Sequence, residues 1–320
     1  MIKEHLFKGM LYSLHSQMNF SFDSMRLAFL LLILGLIGCQ SGPETNTDMT
    51  HAVDAAVSRV LANYPEAIVG MVVLDDVTGV EYHHQSDREF HAASTMKVPV
   101  MIEVFRRVKA GGFSLGDELL VENKFHSIVD SSLYRIEDDS DDAIYTRLGQ
   151  KMTIRDLVYQ MITVSSNLAT NLLIDFVGAD SVQQTVEKIG VERMKVLRGV
   201  EDIKAYKLGL SNTTTAADLA LVMGALKDGN AVSSNADSAM VEILKAQAFN
   251  EMIPAGLPPN TKAAHKTGWI TAIHHDAAIV YPENAPPYVL VILIEGLTDN
   301  TISAKLGADL TREVHSIIRG

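Results

Sequence analysis

Ser94 and Lys97 stand three residues apart in Ser94-Thr95-Met96-Lys97, at the start of a run with helical spacing that continues to Lys109. Residues three apart on a helix share a face, so the serine hydroxyl and the lysine amine can meet. A serine hydroxyl is a weak nucleophile until a neighbour takes its proton, and a lysine driven toward neutrality by burial can do that. The start of a helix adds free backbone N–H groups and the positive end of its dipole. Alone, the pair also fits a helix cap followed by a lysine reaching for solvent. Ser165-Ser166-Asn167 breaks two helical stretches, 153–164 and 168–176. A hydroxyl and a carboxamide at such a break can relay a proton and hold an amide, or can simply satisfy their own backbone. Lys266-Thr267-Gly268 precedes a strand expected to begin at Trp269. A lysine on an edge strand beside a glycine lets a carboxylate and a backbone come close, although the triplet alone is common.

In this order, the three motifs resemble the signature of class A β-lactamases and penicillin-binding proteins. Met152-Thr153-Ile154-Arg155-Asp156-Leu157, the run Ile162 to Leu173 and Thr213-Thr214-Thr215 extend the likeness, which spans residues 50–318. The resemblance implies a serine β-lactamase that opens the β-lactam amide through an acyl-enzyme on Ser94. Lys97 would activate Ser94 and Ser165 would pass the proton to the leaving nitrogen. Asn167, Lys266, Thr267 and Gly268 would hold the substrate. The backbone N–H groups of Ser94 and Trp269 would form the oxyanion hole, where one donor is typically worth about 10²–10³ in rate. The family also carries a glutamate on an omega-type loop, here near 195–212. Glu201 in Arg198-Gly199-Val200-Glu201-Asp202 is the candidate, since a carboxylate there can take the proton of an attacking water; a solvated Glu-Asp pair is the alternative. Three positions depart from the family pattern. Ser166 replaces the usual aspartate, Ala205 replaces a water-holding asparagine, and an Arg198–Asn212 clamp loses the usual charge pair. Trp269 is bulky for its place and is expected to narrow the cleft. No metal and no organic cofactor is implied, and a monomer is expected.

The elements that must position these groups follow from the apolar pattern. A helix is expected over 50–62, then a strand at Ile68 to Leu74, a turn at Asp75 to Gly79 and a return strand from Val80. Residues 94–213 read as an all-α part containing the omega-type loop. A helix capped by Thr215 ends near Gly229, strands follow at Trp269–Ile273, Ala277–Tyr281 and Tyr288–Ile294, and a last helix covers 302–318. The fold class is α+β: residues 49–93 and 214–320, from the two chain ends, share an antiparallel sheet flanked by helices, with the all-α part inserted. The acidic run Asp138 to Asp142 reads as a solvated loop. His274-His275-Asp276 could suggest a metal or triad fragment, but adjacent strand residues point to opposite faces.

The 320 residues carry a net charge of −12, which disfavours a nucleic-acid partner. Cys39 is the one cysteine, so no intrachain disulfide can form. It closes the apolar run Leu27 to Gly38, too short to span a bilayer and fitting the core of a signal peptide. Leu36-Ile37-Gly38-Cys39 resembles the lipobox of bacterial lipoproteins. Residues 1–38 are therefore expected to be a signal peptide, with a possible true start at Met25. Residues 39–48 would be a tether lipidated at Cys39, and the enzyme periplasmic at the outer membrane. Rival readings are a penicillin-binding protein or DD-peptidase with slow deacylation, a β-lactam sensor without turnover, and a general esterase.

Overall fold

The computed structural model describes residues 46–320; Cys39, the expected signal peptide and most of the expected tether lie outside them. The chain enters through helix α1 (Asn46–Leu61) and makes the hairpin β1 (Ile68–Asp75) and β2 (Val80–His84). A 3-10 turn, Ala93–Met96, leads straight into α2 (Lys97–Lys109). The helical stretch continues with α3 (Ile154–Thr163), α4 (Asn167–Val177) and α5 (Ala179–Ile189). After it come α6 (Ala216–Lys227), α7 (Ser234–Lys245), the strands β3 (Lys262–Ile270), β4 (Ile273–Tyr281) and β5 (Tyr288–Glu295), and α8 (Asn300–Arg319). The sheet order is β2-β1-β5-β4-β3, with every neighbouring pair antiparallel. The two ends of the chain thus share one sheet, the expected α+β architecture, and β3 lies at its edge.

β1 and β5 are almost wholly apolar because both of their faces are covered. Val73, Leu290 and Ile292 pack with Val53, Val57, Leu306 and Leu310 of α1 and α8. Val72, Val291 and Leu293 share the second core with Leu219, Val222 and Met223 of α6 and with the helices beyond it. α8 is amphipathic: its buried residues Leu306, Leu310, Val314 and Ile318 recur every four residues.

The part expected to be all-α also holds short strand pairs, Glu118–Leu120 with Lys151–Thr153 and Phe125–His126 with Leu133–Tyr134. β4 begins at Ile273 rather than Ala277, and two further elements differ from expectation. β3 begins at Lys262, not Trp269, so Lys266-Thr267-Gly268 lies within the strand. The polar residues Lys262, His265, Lys266 and Thr267 hide the strand from an apolar-pattern reading. α7 was not expected, because Ser234-Asn235-Ala236-Asp237-Ser238 is polar; its second half buries Met240, Val241 and Leu244. Among the shorter elements, Phe90–His91 pairs with Thr213–Thr214. Thr213 also exchanges two backbone hydrogen bonds with Lys195, of 2.9 and 3.0 Å. The segment entering Ser94 and both ends of the loop carrying Glu201 are thereby stitched together.

Candidate active site

Ser94 sits in the 3-10 turn, after Ala93, whose φ of 45° is unusual for a residue with a Cβ. Thr95 holds the turn from below, donating from N and Oγ1 to the carbonyl of Ala92 at 3.1 and 2.6 Å. The edge strand meets this turn at Gly268. A Cβ there would lie 2.7 Å from Ser94 N and 3.0 Å from Thr95 N, so only glycine lets the strand come this close. Trp269 follows Gly268 directly in the strand. The indole packs edge-on to Phe249, with ring centroids 4.8 Å apart, and to His274. It also lines the cleft.

Lys97 is completely buried at the first position of α2. Its Nζ donates to Ser165 O at 2.6 Å, Ser165 Oγ at 3.2 Å and Asn167 Oδ1 at 2.9 Å. The direct Ser94–Lys97 contact that the spacing allows is not among its hydrogen bonds; the amine points across to the helix break instead. Burial pushes its pKa down to about 7, against the charges of Asp139 and Glu201, which pull it up. Lys266, also completely buried, donates to Ser165 Oγ at 3.0 Å and to Thr267 O at 2.8 Å. Burial and the neighbouring charge of Lys97 hold it well below the ordinary lysine range, while Asp276 opposes. Ser165 Oγ therefore lies between two lysines. Its backbone φ of 59° is the left-handed geometry of the break between α3 and α4. Thr267 is buried, and its Oγ1 has no protein partner.

Asn167 links this cluster to the loop. Its Nδ2 donates to Glu201 Oε1 at 2.9 Å and to the carbonyl of Asp138 at 3.1 Å. Glu201, with a φ of 59°, also accepts from the backbone N–H of Glu137 at 3.1 Å. Burial raises its pKa, aided by the charge of Asp139, although the N–H donors of Glu137, Asn167 and Asp138 resist the shift. Asp202 next to it is buried and fully engaged, accepting from Ser127 Oγ, Ile128 N and Ala205 N. The two carboxylates are not an equivalent solvated pair: Asp202 caps the short helix Ile203–Lys207, and Glu201 faces the cleft. Asn171 pins the loop, accepting from Val200 N at 2.7 Å and donating to Val200 O at 3.0 Å. Gly199 makes room for it, since a Cβ there would lie 2.3 Å from Asn171 Oδ1.

The Arg198–Asn212 clamp exists without a charge pair. Asn212 binds the backbone of Leu197 and Arg198, and the Arg198 guanidinium donates to the carbonyls of Leu210 and Gly199. Ala205 is buried and offers no side-chain donor. Ser166 caps α4, accepting from Ala169 N.

The acidic run is only in part the solvated loop expected of it: Asp138 and Asp142 are exposed, whereas Asp139 and Asp141 are engaged. Asp139 accepts from the N–H groups of Asn167 and Leu168, and Asp141 is buried against Ser166. A helix start buried in a cleft needs acceptors, and this loop supplies them. His274, His275 and Asp276 go three ways. His274 Nδ1 lies 2.9 Å from Ser303 Oγ, His275 Nε2 lies 2.9 Å from the carbonyl of His91, and Asp276 pairs with His265 at 2.9 Å. Among the described residues, no group of three His, Cys, Asp or Glu is arranged to hold a metal ion.

Ser94, Ser165, Asn167, Glu201, Arg135 and Trp269 are among the residues lining one cleft of about 1150 Å³. A model of the β-lactamase enzyme family matches residues 52–318. A β-lactamase of Rhodobacter capsulatus is 26% identical over 272 residues, 82% of this chain and 89% of that protein. The crystal structure of a β-lactamase from Sphaerobacter thermophilus superposes with a TM-score of 0.72 at 29% identity, covering 83% of this chain and 96% of the other. A mutant of PBP-A, solved as an acyl-enzyme complex with penicillin G, superposes at 0.73 with 25% identity, covering 87% and 98%. With motifs, fold and family model in agreement over this range, the chain belongs to the β-lactamase enzyme family, within the superfamily that joins class A serine β-lactamases and penicillin-binding proteins.

Proposed function

We propose that this protein is a serine β-lactamase that hydrolyses β-lactams through an acyl-enzyme on Ser94. The observation that carries the reading is one connected network. Lys97 Nζ reaches Ser165 Oγ and Asn167 Oδ1, Asn167 Nδ2 reaches Glu201 Oε1, and Lys266 Nζ reaches Ser165 Oγ. In acylation, Ser94 Oγ adds to the β-lactam carbonyl while its proton passes to the Lys97 side, where a pKa of about 7 leaves a substantial neutral fraction. The carbonyl oxygen, as it gains charge, is held by the N–H groups of Ser94 and Trp269. The C–N bond then breaks, and the ring nitrogen takes a proton through Ser165 Oγ. Asn167 holds the acylamide side, and Lys266 with Thr267 Oγ1 takes the substrate carboxylate. Gly268 leaves the room for that approach. In deacylation Glu201, raised by burial and aimed at the cleft, removes a proton from water attacking the ester.

One feature favours a second reading, acylation with slow release. Ala205 leaves the hydrolytic water with Glu201 but without the second side-chain partner that the family pattern places on this loop, and PBP-A shares the fold. Counting turnovers separates the two. Purified residues 40–320 mixed with a chromogenic cephalosporin should turn over many equivalents, and Ser94→Ala should turn over none while keeping its melting temperature. A single stoichiometric burst would favour the penicillin-binding reading. Unchanged activity in Ser94→Ala would remove Ser94 from the mechanism.

We also propose that the protein is made with a signal peptide, lipidated on Cys39, and held as a monomer on the periplasmic side of the outer membrane. The support is the lipobox-like Leu36-Ile37-Gly38-Cys39. In fractionated cells the full chain should sediment with membranes and Cys39→Ser should appear in the soluble periplasm; equal soluble recovery would refute lipidation.

A further inference from the structure

The family's second motif carries a carboxylate where this chain has Ser166, yet carboxylates line the same place from the other side. Asp139 Oδ1 accepts from Asn167 N at 2.8 Å, and its Oδ2 accepts from Leu168 N at 2.9 Å. It thus binds the first two N–H groups of α4, both without an intrahelical partner. Asp139 is itself held from behind by Tyr145 OH at 3.1 Å and Asp141 N at 3.3 Å. Asp141 caps the short helix Asp142–Tyr145 through Ile144 N, and Ser140 Oγ donates to Val164 O at 2.6 Å. The loop therefore grips the helix break at Val164, Asn167 and Leu168, and Asn167, bound at both its backbone and its side chain, is the residue that joins Lys97 to Glu201.

We infer that Asp139 is a positioning residue for hydrolysis: it supplies from the facing loop the carboxylate that Ser166 lacks, and so fixes Asn167, and through it Lys97 and Glu201, in working geometry. The inference rests on the proposed β-lactamase reading. A neutral cap would serve the geometry alone. A charged one also acts on its neighbours, because a charge in a partly buried cleft is poorly screened. Asp139 raises the pKa of both Lys97 and Glu201. The other charged groups facing Lys97 are Glu201 and Lys266; Asp141 and Tyr145 face Asp139. Both Lys97 and Glu201 must be deprotonated to act as bases, so Asp139 sets where the acid limb of the pH–rate profile falls.

The sign follows directly. Removing the negative charge lowers both pKa values; kcat/KM covers the steps through acylation and so reads Lys97, whose acid limb should move to lower pH. The test compares the parent with Asp139→Asn and Asp139→Glu in kcat/KM against pH with a chromogenic cephalosporin, alongside melting temperatures. Asp139→Asn keeps one acceptor, loses the charge and turns an amide donor toward one of the two N–H groups. It should lose roughly 10²-fold in rate through misplaced Asn167, with its acid limb shifted to lower pH. Asp139→Glu keeps the charge but displaces the cap, so its rate should fall with the limb in place. A purely structural cap would lower the whole Asp139→Asn profile without moving it. An unmoved limb, or rates within twofold of the parent in both variants, would overturn the inference. If Asp139→Asn does not fold, parent-like kinetics in Asp139→Glu would still refute the positioning claim. Failure of the β-lactamase reading itself would show separately, as a parent that does not turn over.

Discussion

Glu201 and Asp202 are adjacent acids with different roles, and the difference lies in which partners they bond. Asp202 accepts from Ser127, Ile128 and Ala205 and caps a short helix, whereas Glu201, its pKa raised by burial, is tied through Asn167 to the Lys97 cluster. Acylation on this reading needs Ser94 and Lys97 but not Glu201. Glu201→Gln retains an acceptor for Asn167 and removes the base, so it should trap the acyl-enzyme. Its lifetime should lengthen by about 10²–10⁴, read by intact-protein mass spectrometry after mixing with a penicillin. Parent-like turnover in this variant would assign the water to another group. Ser94, Lys97 and Lys266 were legible because their chemistry demands those residue types at fixed places in a motif. Asp139 was not, because an acid in a polar loop looks solvated when its partners are backbone N–H groups 28 and 29 residues further on.

At the level of elements, the loop bearing Glu201 is positioned by close fit rather than by charge. Asn171 of α4 holds both backbone groups of Val200, and it reaches them because Gly199 has no side chain. Gly199→Ala should push Asn171 away and move Glu201 with the loop. A displacement of about 1 Å typically costs on the order of 10² in rate, and here it should fall on deacylation. Rapid-mixing kinetics should show an intact acylation burst followed by a slowed steady state; an unchanged steady-state rate would show that the loop tolerates the methyl group. The sheet and the long helices were readable from apolar periodicity. β3 was read too short for a reason tied to function: His265 pairs with Asp276, and Lys266 turns its amine to Ser165, so buried polar side chains stand where an apolar pattern was sought. α7 was missed because its polar first turns gave no period, although its last two turns carry the core contacts.

Across the whole molecule, the cleft is where the sheet edge, the 3-10 turn, the helix break and the omega-type loop converge, so Lys97 and Lys266 arrive from distant parts of the chain to share one hydroxyl. Burial holds both below the usual lysine range before any ligand arrives, and the charge of Lys97 lowers Lys266 further. A β-lactam brings a carboxylate to that spot, and an arriving negative charge favours the ammonium forms. The complex should therefore bind a proton that the free protein does not hold. Calorimetry of Ser94→Ala with benzylpenicillin at pH 8, in buffers of different ionisation enthalpy, should give binding heats that vary with the buffer in the direction of uptake. Heats independent of buffer would mean the lysines keep their charge state throughout. With uptake, substrate recognition becomes linked to acidity: apparent affinity for an anionic β-lactam weakens as pH rises above the free lysine values, while a neutral analogue lacking the carboxylate escapes that dependence.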